Sequence, residues 1–125
     1  MEREHKMMVK NSYDPVMDSL YIRTVNAYKY AESVELGVNM ILDFDENKIP
    51  VALEILDASK ILNVKPFSLK NLKKYNIQIL VDEKAITLRA KFLMPLHNKG
   101  EEKPLSAETA NDLKIPQIEA NLASA

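Results

Sequence analysis

Four oxygen-bearing side chains in the middle of the chain have the spacing of a calcium-binding loop. Positions 1, 3, 5 and 12 of an EF-hand pattern are occupied by Asp43, Asp45, Asn47 and Glu54. The context fits less well, because Lys48 stands at the sixth position, where the sharp bend of an EF-hand needs glycine. The sequence therefore leaves two interpretations open, a weak cation site at Asp43, Asp45 and Asn47 or a solvated turn without a metal.

Basic residues are concentrated in the second half of the chain. Residues 58–99 contain nine Lys or Arg against two Asp or Glu, whereas residues 1–57 contain six against eleven. Clustered cations favour contacts to nucleic-acid phosphates. The candidate contacts are Lys70, Lys73, Lys74, Arg89 and Lys91. A sequence pI of about 6.1 argues against this hypothesis, and the alternative is that the acidic and basic halves attract each other on folding.

Side chains for nucleophilic or metal-dependent catalysis are scarce. The chain has no cysteine, which excludes disulfides, thiolate nucleophiles and cysteine zinc sites. His5 and His97 are its two histidines, and both lie in the terminal segments, away from any candidate serine. Ser59 next to Lys60 is better explained as a helix cap than as a catalytic pair. We therefore predict no catalytic residue, no cofactor and no enzymatic activity.

Alternating apolar residues predict antiparallel strands in the first half of the chain. A strand over Met7–Tyr13 is ended by Asp14-Pro15, because proline lacks the amide that a ladder needs. Leu20 and Ile22 then share one face of a second strand. The clearest element is a hairpin in which both strands place their apolar residues on the same side. Its apolar residues are Met40, Leu42 and Phe44 on one strand and Val51, Leu53 and Ile55 on the next.

The turn of this hairpin is predicted at Asp45–Lys48. A loop of two or four residues keeps both apolar sets on one face of the sheet, whereas a loop of three does not. Asn47 is the residue in this turn that is best able to adopt a positive φ.

The second half of the chain predicts two short helices and another hairpin. The helices span about 56–63 and 69–75, with Asp57 or Ser59 capping the first and Ser68 capping the second. A last hairpin turns near Glu83-Lys84. It pairs Ile77, Ile79 and Val81 with Ile86, Leu88, Ala90 and Phe92.

These elements predict one α+β domain, an antiparallel β-meander of about six or seven strands with two short helices. The domain spans residues 1–95. From residue 96 to 125 the chain is polar, acidic and interrupted by prolines, so we expect a flexible tail there. The sequence contains neither a signal-peptide pattern nor an apolar run long enough to span a membrane, which predicts a cytoplasmic protein.

Four short motifs follow one another in the first half of the chain. They are Tyr13-Asp14-Pro15, Asp18-Ser19-Leu20-Tyr21-Ile22, Ile41-Leu42-Asp43-Phe44-Asp45 and Leu53-Glu54-Ile55-Leu56-Asp57-Ala58-Ser59-Lys60. In these motifs the chain resembles the YuzE-like family of short prokaryotic domains of unknown function. The resemblance implies a core over residues 7–63 and an added helix and hairpin over 64–95. Lys48 and Ala52 depart from the pattern, because the family usually has glycine at the first position and often at the second.

The resemblance implies a compact antiparallel meander followed by a short helix, with no established activity, cofactor or catalytic residue. Some members of the family are encoded beside toxin-like genes, which implies an accessory role. The motif residues are predicted to be structural, setting turns or capping a helix. They are Tyr13, Asp14, Pro15, Tyr21, Glu54, Asp57 and Ser59.

The favoured hypothesis is a protein-binding or regulatory module without enzymatic activity, accessory to a toxin-like partner. Its exposed strand edges would pair with a protein partner or with a second copy in a homodimer. Two alternatives stay open. One is nucleic-acid binding through the basic surface of residues 65–91, and the other is cation binding at the Asp43–Asn47 turn. No membrane partner is expected.

Overall fold

The computed structural model describes residues 3–96 and 99–124, and for residues 96, 99 and 100 it describes the backbone only. Within these residues the chain forms nine strands and two short helices. The strands are β1 (Arg3–Asp14), β2 (Ser19–Thr24), β3 (Tyr30–Leu36), β4 (Met40–Asp45), β5 (Pro50–Ile55), β6 (Lys74–Val81), β7 (Ala85–Leu96), β8 (Lys99–Ala110) and β9 (Ile118–Ser124). The helices are α1 (Ala58–Ile61) and α2 (Pro66–Lys70).

The described strands form one sheet in the order β3-β4-β5-β2-β1-β9-β6-β7-β8. Neighbouring strands are antiparallel except β1 and β9, which are parallel. The sheet curls, so that its edge strands β3 and β8 approach each other. The predicted sheet with two short helices is therefore confirmed, whereas the count of six or seven strands and the all-antiparallel pairing are wrong.

The hydrophobic core fills the inner, concave face of the curled sheet, because every second side chain of a strand points to that face. The predicted apolar face of the β4–β5 hairpin is confirmed for Met40, Leu42, Phe44, Leu53 and Ile55. Val51 is buried as well but lies outside this cluster, because the β4–β5 register shifts between Asp43 and Phe44. The opposite, outer face of the sheet carries most of the polar side chains.

Both predicted hairpins form, and the last paired residues of the second, Val81 and Ile86, have four residues between them. Four residues, 46–49, join β4 to β5, and β6 pairs with β7 in the predicted register around Glu83-Lys84. The positive φ of the first turn falls on Lys48, at 64°, and not on Asn47 as predicted. Lysine there adopts a left-handed backbone that glycine would adopt without a steric cost.

Residues 99–124, which we expected to form a flexible tail, instead supply two strands of the sheet. The strand β8 is an edge strand, where Pro104 is tolerated because few ladder amides are needed. The strand β9 lies between β1 and β6, and its Ile118, Ala120 and Leu122 are buried in the core. The sheet therefore continues through the boundary that was expected at residue 95.

The two helices are shorter than predicted and are capped differently. Asp57 occupies the residue before α1 with a left-handed backbone, φ 53°, and its side chain makes no capping hydrogen bond. Ser68 lies inside α2 and not at its start, because the helix begins earlier, at Pro66. In the part of the chain that the structure describes, no helix is both long and apolar enough to cross a membrane.

Candidate functional site

The motif residues converge at one end of the sheet, which we call the motif end (residues 13–19 and 54–59). The turn between β1 and β2 lies beside the start of α1 there, because the amide of Ala58 donates to the carbonyl oxygen of Asp18 at 2.9 Å. The end of β5 lies next to the start of β2, with Leu20 opposite Ile55. Residues that are about 40 positions apart in the chain therefore form one continuous surface.

Asp18 is the centre of a hydrogen-bond network at the motif end. Its Oδ1 accepts the hydroxyl of Tyr13 at 2.6 Å and the amide of Ser59 at 3.0 Å. Its Oδ2 accepts the hydroxyl of Ser59 at 2.7 Å. Burial opposes the charged form, but these hydrogen bonds outweigh it and hold the pKa of the Asp18 carboxyl below its usual value. Asp18 therefore caps α1 from another part of the chain, the role that was predicted for Asp57 or Ser59.

Tyr13 responds to the same network in the opposite direction. Burial at the end of β1, together with the hydrogen bond and the charge of Asp18, raises the pKa of the Tyr13 hydroxyl to about 12. The phenol therefore stays protonated as a hydrogen-bond donor at neutral pH. In this network Tyr13 donates to the same carboxylate that accepts the amide of Ser59, which links the end of β1 to the start of α1.

The β1–β2 turn is fixed from inside while it presents apolar side chains to solvent. The Oδ1 of Asp14 accepts the amide of Val16 at 2.9 Å and the amide of Met17 at 3.2 Å, an arrangement that favours a tight turn after Pro15. The side chains of Val16 and Met17 are nevertheless 89% and 70% exposed. The turn therefore places two neighbouring apolar side chains in solvent at the motif end.

A third exposed apolar residue lies at the same end of the sheet. The β3–β4 turn carries Val38, whose side chain is 94% exposed. This turn is tied to the motif end, because the amide of Leu56 donates to the carbonyl oxygen of Asn39 at 2.8 Å. Val38 therefore extends the exposed apolar surface along the same end of the sheet.

Two small clefts lie on the first half of the chain, one of about 310 Å³ and one of about 280 Å³. The smaller cleft belongs to the motif end. Its lining residues are Ser12, Asp14, Met17, Ser19, Tyr21, Glu54 and Leu56. The Oε2 of Glu54 accepts the hydroxyl of Ser19 at 3.0 Å. Among the described residues, neither Asp14 nor Glu54 forms an ion pair. The cleft is therefore acidic, and it lies next to the exposed Met17.

Tyr21 forms one wall of this cleft, in the middle of the outer face. Burial and a hydrogen bond of 3.3 Å between the hydroxyls of Tyr21 and Tyr28 raise the pKa of Tyr21 to about 12. Its ring therefore stays neutral at physiological pH. A neutral aromatic ring beside two carboxylates suits a cationic side chain, since the face of the ring attracts a positive charge.

The candidate cation ligands are not brought together. The Oδ1 of Asp45 accepts the amides of Asn47 at 2.9 Å and Ile49 at 3.0 Å, so this carboxylate organises the turn. The Oδ1 of Asp43 accepts the hydroxyl of Ser33 at 2.6 Å. Glu54 belongs to the motif end. Across residues 3–96 and 99–124, no three acidic, histidine or cysteine side chains are grouped in a way that could hold a metal ion.

The candidate phosphate contacts are partly brought together. Lys74 on β6 and Arg89 and Lys91 on β7 point to the outer face of the sheet, because they occupy the positions that alternate with the buried residues. Lys70 ends α2, and Lys73 lies in the loop before β6. The sequence therefore identified three cations of one sheet face, but not the side chains from other strands that lie between them.

Comparison with known proteins gives a family match in the first half of the chain. The model of a family described as a protein of unknown function, DUF2283, matches residues 10–59, which include the whole motif end. Nearly the same segment carries the resemblance to YuzE-like domains. The match supports a domain of unknown function, and the YuzE-like name stays a prediction.

Two archaeal proteins are similar over most of the chain. One, from Methanosarcina mazei, is called a putative hypoxanthine phosphoribosyltransferase; it is 34% identical over 114 residues, which cover 91% of each chain. The other is the uncharacterized protein MJ0789 of Methanocaldococcus jannaschii, 37% identical over 89 residues, which cover 70% of this chain and 75% of that protein. No solved structure gives a significant match.

Proposed function

We propose that this chain, which belongs to the DUF2283 family of proteins of unknown function, is a protein-binding module without enzymatic activity. In this proposal the motif end is its binding surface. One observation carries the proposal. The turn that holds Val16 and Met17 is fixed because the carboxylate of Asp14 accepts both of their amides, yet both apolar side chains face solvent beside an acidic cleft.

The rigidity of this turn favours binding because little conformational entropy would be lost when a partner covers it. Burying an exposed Val or Met side chain contributes about 1.5–3 kcal/mol. Val16 and Met17 together would therefore supply a small apolar centre of the kind that dominates many protein interfaces. In this proposal the hydrogen bonds of the polar residues at the motif end hold the binding surface in place.

The cleft indicates the chemistry of the partner. Asp14 and Glu54 supply two carboxylates without an ion pair among the described residues, and the ring of Tyr21 lies between β1 and β5. A Lys or Arg side chain would place its charge between the carboxylates and its aliphatic stem against Met17. We therefore infer a partner segment in which a basic residue is next to an apolar one. A toxin-like protein, as the resemblance implies, is one class of partner to test.

The name of the M. mazei relative does not provide a better function for this chain. That name implies a phosphorylated ribose as a substrate group, and phosphate groups are commonly held by glycine-rich loops and helix N-termini. The chain has two glycines, and the described helices contain four and five residues. We therefore do not extend phosphoribosyl transfer to this chain. An assay for the consumption of hypoxanthine with a phosphoribosyl donor would test this choice directly.

The experiment that tests the proposal compares wild type with the double variant Val16→Asp/Met17→Asp. Tagged proteins are recovered from the native host, and the retained proteins are quantified by mass spectrometry. We expect at least one protein to be retained by wild type and reduced at least tenfold with the double variant. The matched control is Val25→Asp, because Val25 is also exposed, at 45%, but follows β2 away from the motif end.

Two results would contradict the proposal. The first is a set of retained proteins that is the same for wild type and the double variant, provided that both are folded by circular dichroism. The second is a self-association, measured by light scattering, that the double variant abolishes, because the occupant of the motif end would then be a second copy. If the partner is retained equally by wild type and by Asp14→Asn/Glu54→Gln, the proposed basic side chain of the partner is wrong, and only the apolar contact stands.

A further inference from the structure

A second surface, unrelated to the motif end, lies on the outer face of the other half of the sheet. Strand register places two rows of side chains across β1, β9, β6, β7 and β8, and we call these two rows the basic stripe. One row consists of Lys6, Asn121, Gln78, Arg89 and Ser106. The neighbouring row consists of Met8, Ala123, Asn76, Lys91 and Pro104. Five strands that are far apart in sequence therefore build one surface.

The basic stripe contains a wide groove. This groove of about 770 Å³ is lined mainly by Asn76, Gln78, Arg89, Lys91, Ser106 and Asn121. Its floor combines cations with side-chain amides and a hydroxyl. Because Arg89 and Lys91 are two residues apart on β7, their side chains leave the same face about 6.6 Å apart along the strand.

The polar groups of this groove are largely free for a ligand. Among the described residues, the side chains of Arg89, Asn76 and Asn121 form no hydrogen bond or ion pair with another part of the chain. Lys91 has one ion pair, a distance of 3.9 Å to Glu102, and both side chains are more than 60% exposed. An exposed pair at this distance contributes little. Polar side chains in a groove that lack partners within the protein are typical of a binding surface.

Charge is arranged in rows on this face. The two rows of the basic stripe contain Lys6, Arg89 and Lys91 and no acidic residue. The row on one side of the stripe contains three carboxylates, from Glu4, Glu119 and Glu108. A broad anionic surface such as a double helix would meet these carboxylates. A single linear polyanion lying along the stripe would contact the cations and avoid them.

We infer that the basic stripe binds single-stranded nucleic acid. Arg89 and Lys91, which are side by side on β7, would contact two neighbouring phosphates, and Lys6, three strands away on β1 and therefore about 14 Å along the stripe, would contact a phosphate farther along the nucleic acid. The amides of Asn76, Gln78 and Asn121 present donors and acceptors that match base edges. No aromatic side chain lines the groove, so base stacking does not contribute and the affinity depends mainly on the phosphate contacts. This inference does not depend on the proposed function of the motif end.

The test measures fluorescence anisotropy of labelled single-stranded RNA and DNA oligonucleotides of twelve nucleotides with the full chain. Three phosphate contacts predict a salt slope of about −2, or a roughly twentyfold loss of affinity between 50 and 200 mM salt. Arg89→Gln/Lys91→Gln should weaken binding at least tenfold at 50 mM salt and reduce the slope to about −0.7. The matched control, Lys60→Gln/Lys65→Gln, removes two exposed lysines outside the stripe and should bind as wild type does.

The remaining arms separate the alternatives. Asn76→Ala/Asn121→Ala should change the preference between homopolymers without changing the salt slope, because amides read bases and do not neutralise phosphates. Absence of binding up to 100 µM protein (roughly the weak end of nonspecific affinity), or equal binding by Arg89→Gln/Lys91→Gln, overturns the inference. Binding of a poly-glutamate peptide in place of nucleic acid also overturns it and identifies an acidic protein segment as the ligand. Val16→Asp/Met17→Asp should bind as wild type does.

Discussion

The motif end and the basic stripe use polar residues in opposite ways. At the motif end the carboxylate of Asp18 accepts three hydrogen bonds from within the protein, and that of Asp14 accepts two. In the basic stripe, Arg89 and Asn76 have no partner among the described residues. Polar residues that are already satisfied hold the fold together, whereas polar residues without partners are available to a ligand.

The two regions also differ in how easily the sequence reveals them. The motif end consists of short, contiguous motifs, and these motifs are recognisable because each has a local structural task. The basic stripe takes two residues from each of five strands, so no contiguous motif in the sequence indicates it. The comparison teaches that short motifs mark residues with local structural tasks, whereas a groove assembled from several strands leaves no such mark in the sequence.

The largest expected effect tests whether the motif end and the basic stripe fold independently of each other. Removing residues 118–124 deletes β9, which separates β1 from β6. We expect a global loss of cooperative folding that includes the motif end, because β1 belongs to both regions. The measurement is urea unfolding followed by circular dichroism and by the amide spectrum of the motif end. A motif end that stays folded in this deletion would show two independent units.

A point variant tests the same strand more gently. Leu122→Ala empties a fully buried position and should lower the free energy of unfolding by about 2–5 kcal/mol. Asn121→Ala, the neighbouring residue on the outer face, should change it by less than about 0.5 kcal/mol. Equal effects of the two variants would place β9 in the wrong register.

The next largest effect should come from Asp18. Asp18→Ala removes three hydrogen bonds to a charged group and leaves alanine at φ 52°, so we expect a loss of about 2–3 kcal/mol in the free energy of unfolding. Arg89→Ala should cost less than about 0.5 kcal/mol. Chemical denaturation measures both. The contrast between the two regions would be lost if Arg89→Ala were as destabilising as Asp18→Ala.

Two variants in the turn between β4 and β5 test a smaller effect on the free energy of unfolding. Lys48→Gly and Lys48→Ala both remove the ammonium group that pairs with Glu32. Only glycine relieves the left-handed backbone at φ 64°, so the glycine variant should be about 1 kcal/mol more stable than the alanine variant. Thermal and urea unfolding of the two variants provide the measurement. Equal stabilities would mean that this residue does not keep a positive φ in solution.

The smallest expected effect is a pH dependence confined to the motif end. The folded protein holds the pKa of Asp18 below its ordinary value of 3.8, so the unfolded chain binds the proton more tightly. The stabilisation is therefore present above about pH 4 and is lost as the pH falls through the lower, folded pKa. The difference in unfolding free energy between wild type and Asp18→Asn should shrink from pH 6 to pH 2.5. A constant difference would contradict the role of the carboxylate.

Local features of the sequence predicted the hairpins and the motif residues. The alternation of Met40–Phe44 placed these side chains in the core, and parity gave the correct register around Glu83-Lys84. The family's glycine at position 48 also marked the residue with positive φ, although Asn47 was preferred on residue type alone. Such features were predictable because each depends on neighbours within about ten residues.

Long-range features were not predictable from the sequence. Asp18 caps a helix about 40 residues away, which no local capping pattern contains. Ile118, Ala120 and Leu122 alternate as a strand does, but a short stretch after Pro116 also fits a loop. The groove at Arg89 required the register of three strand pairs at once. Each of these depends on which strands become neighbours, and that choice is made by the packing of the whole sheet.

The parallel pairing of β1 with β9 also has a consequence for how the protein forms. Arg3 lies opposite Ile118, so this ladder closes a loop of more than 100 residues. Contacts of such separation slow folding, and at about 5–20 residues per second a ribosome needs several seconds to make β9 after β6. During that time β1 and β6 each have an unpaired edge, which is a template for aggregation. We therefore expect the nascent chain to depend on chaperones until β9 pairs with β1 and β6.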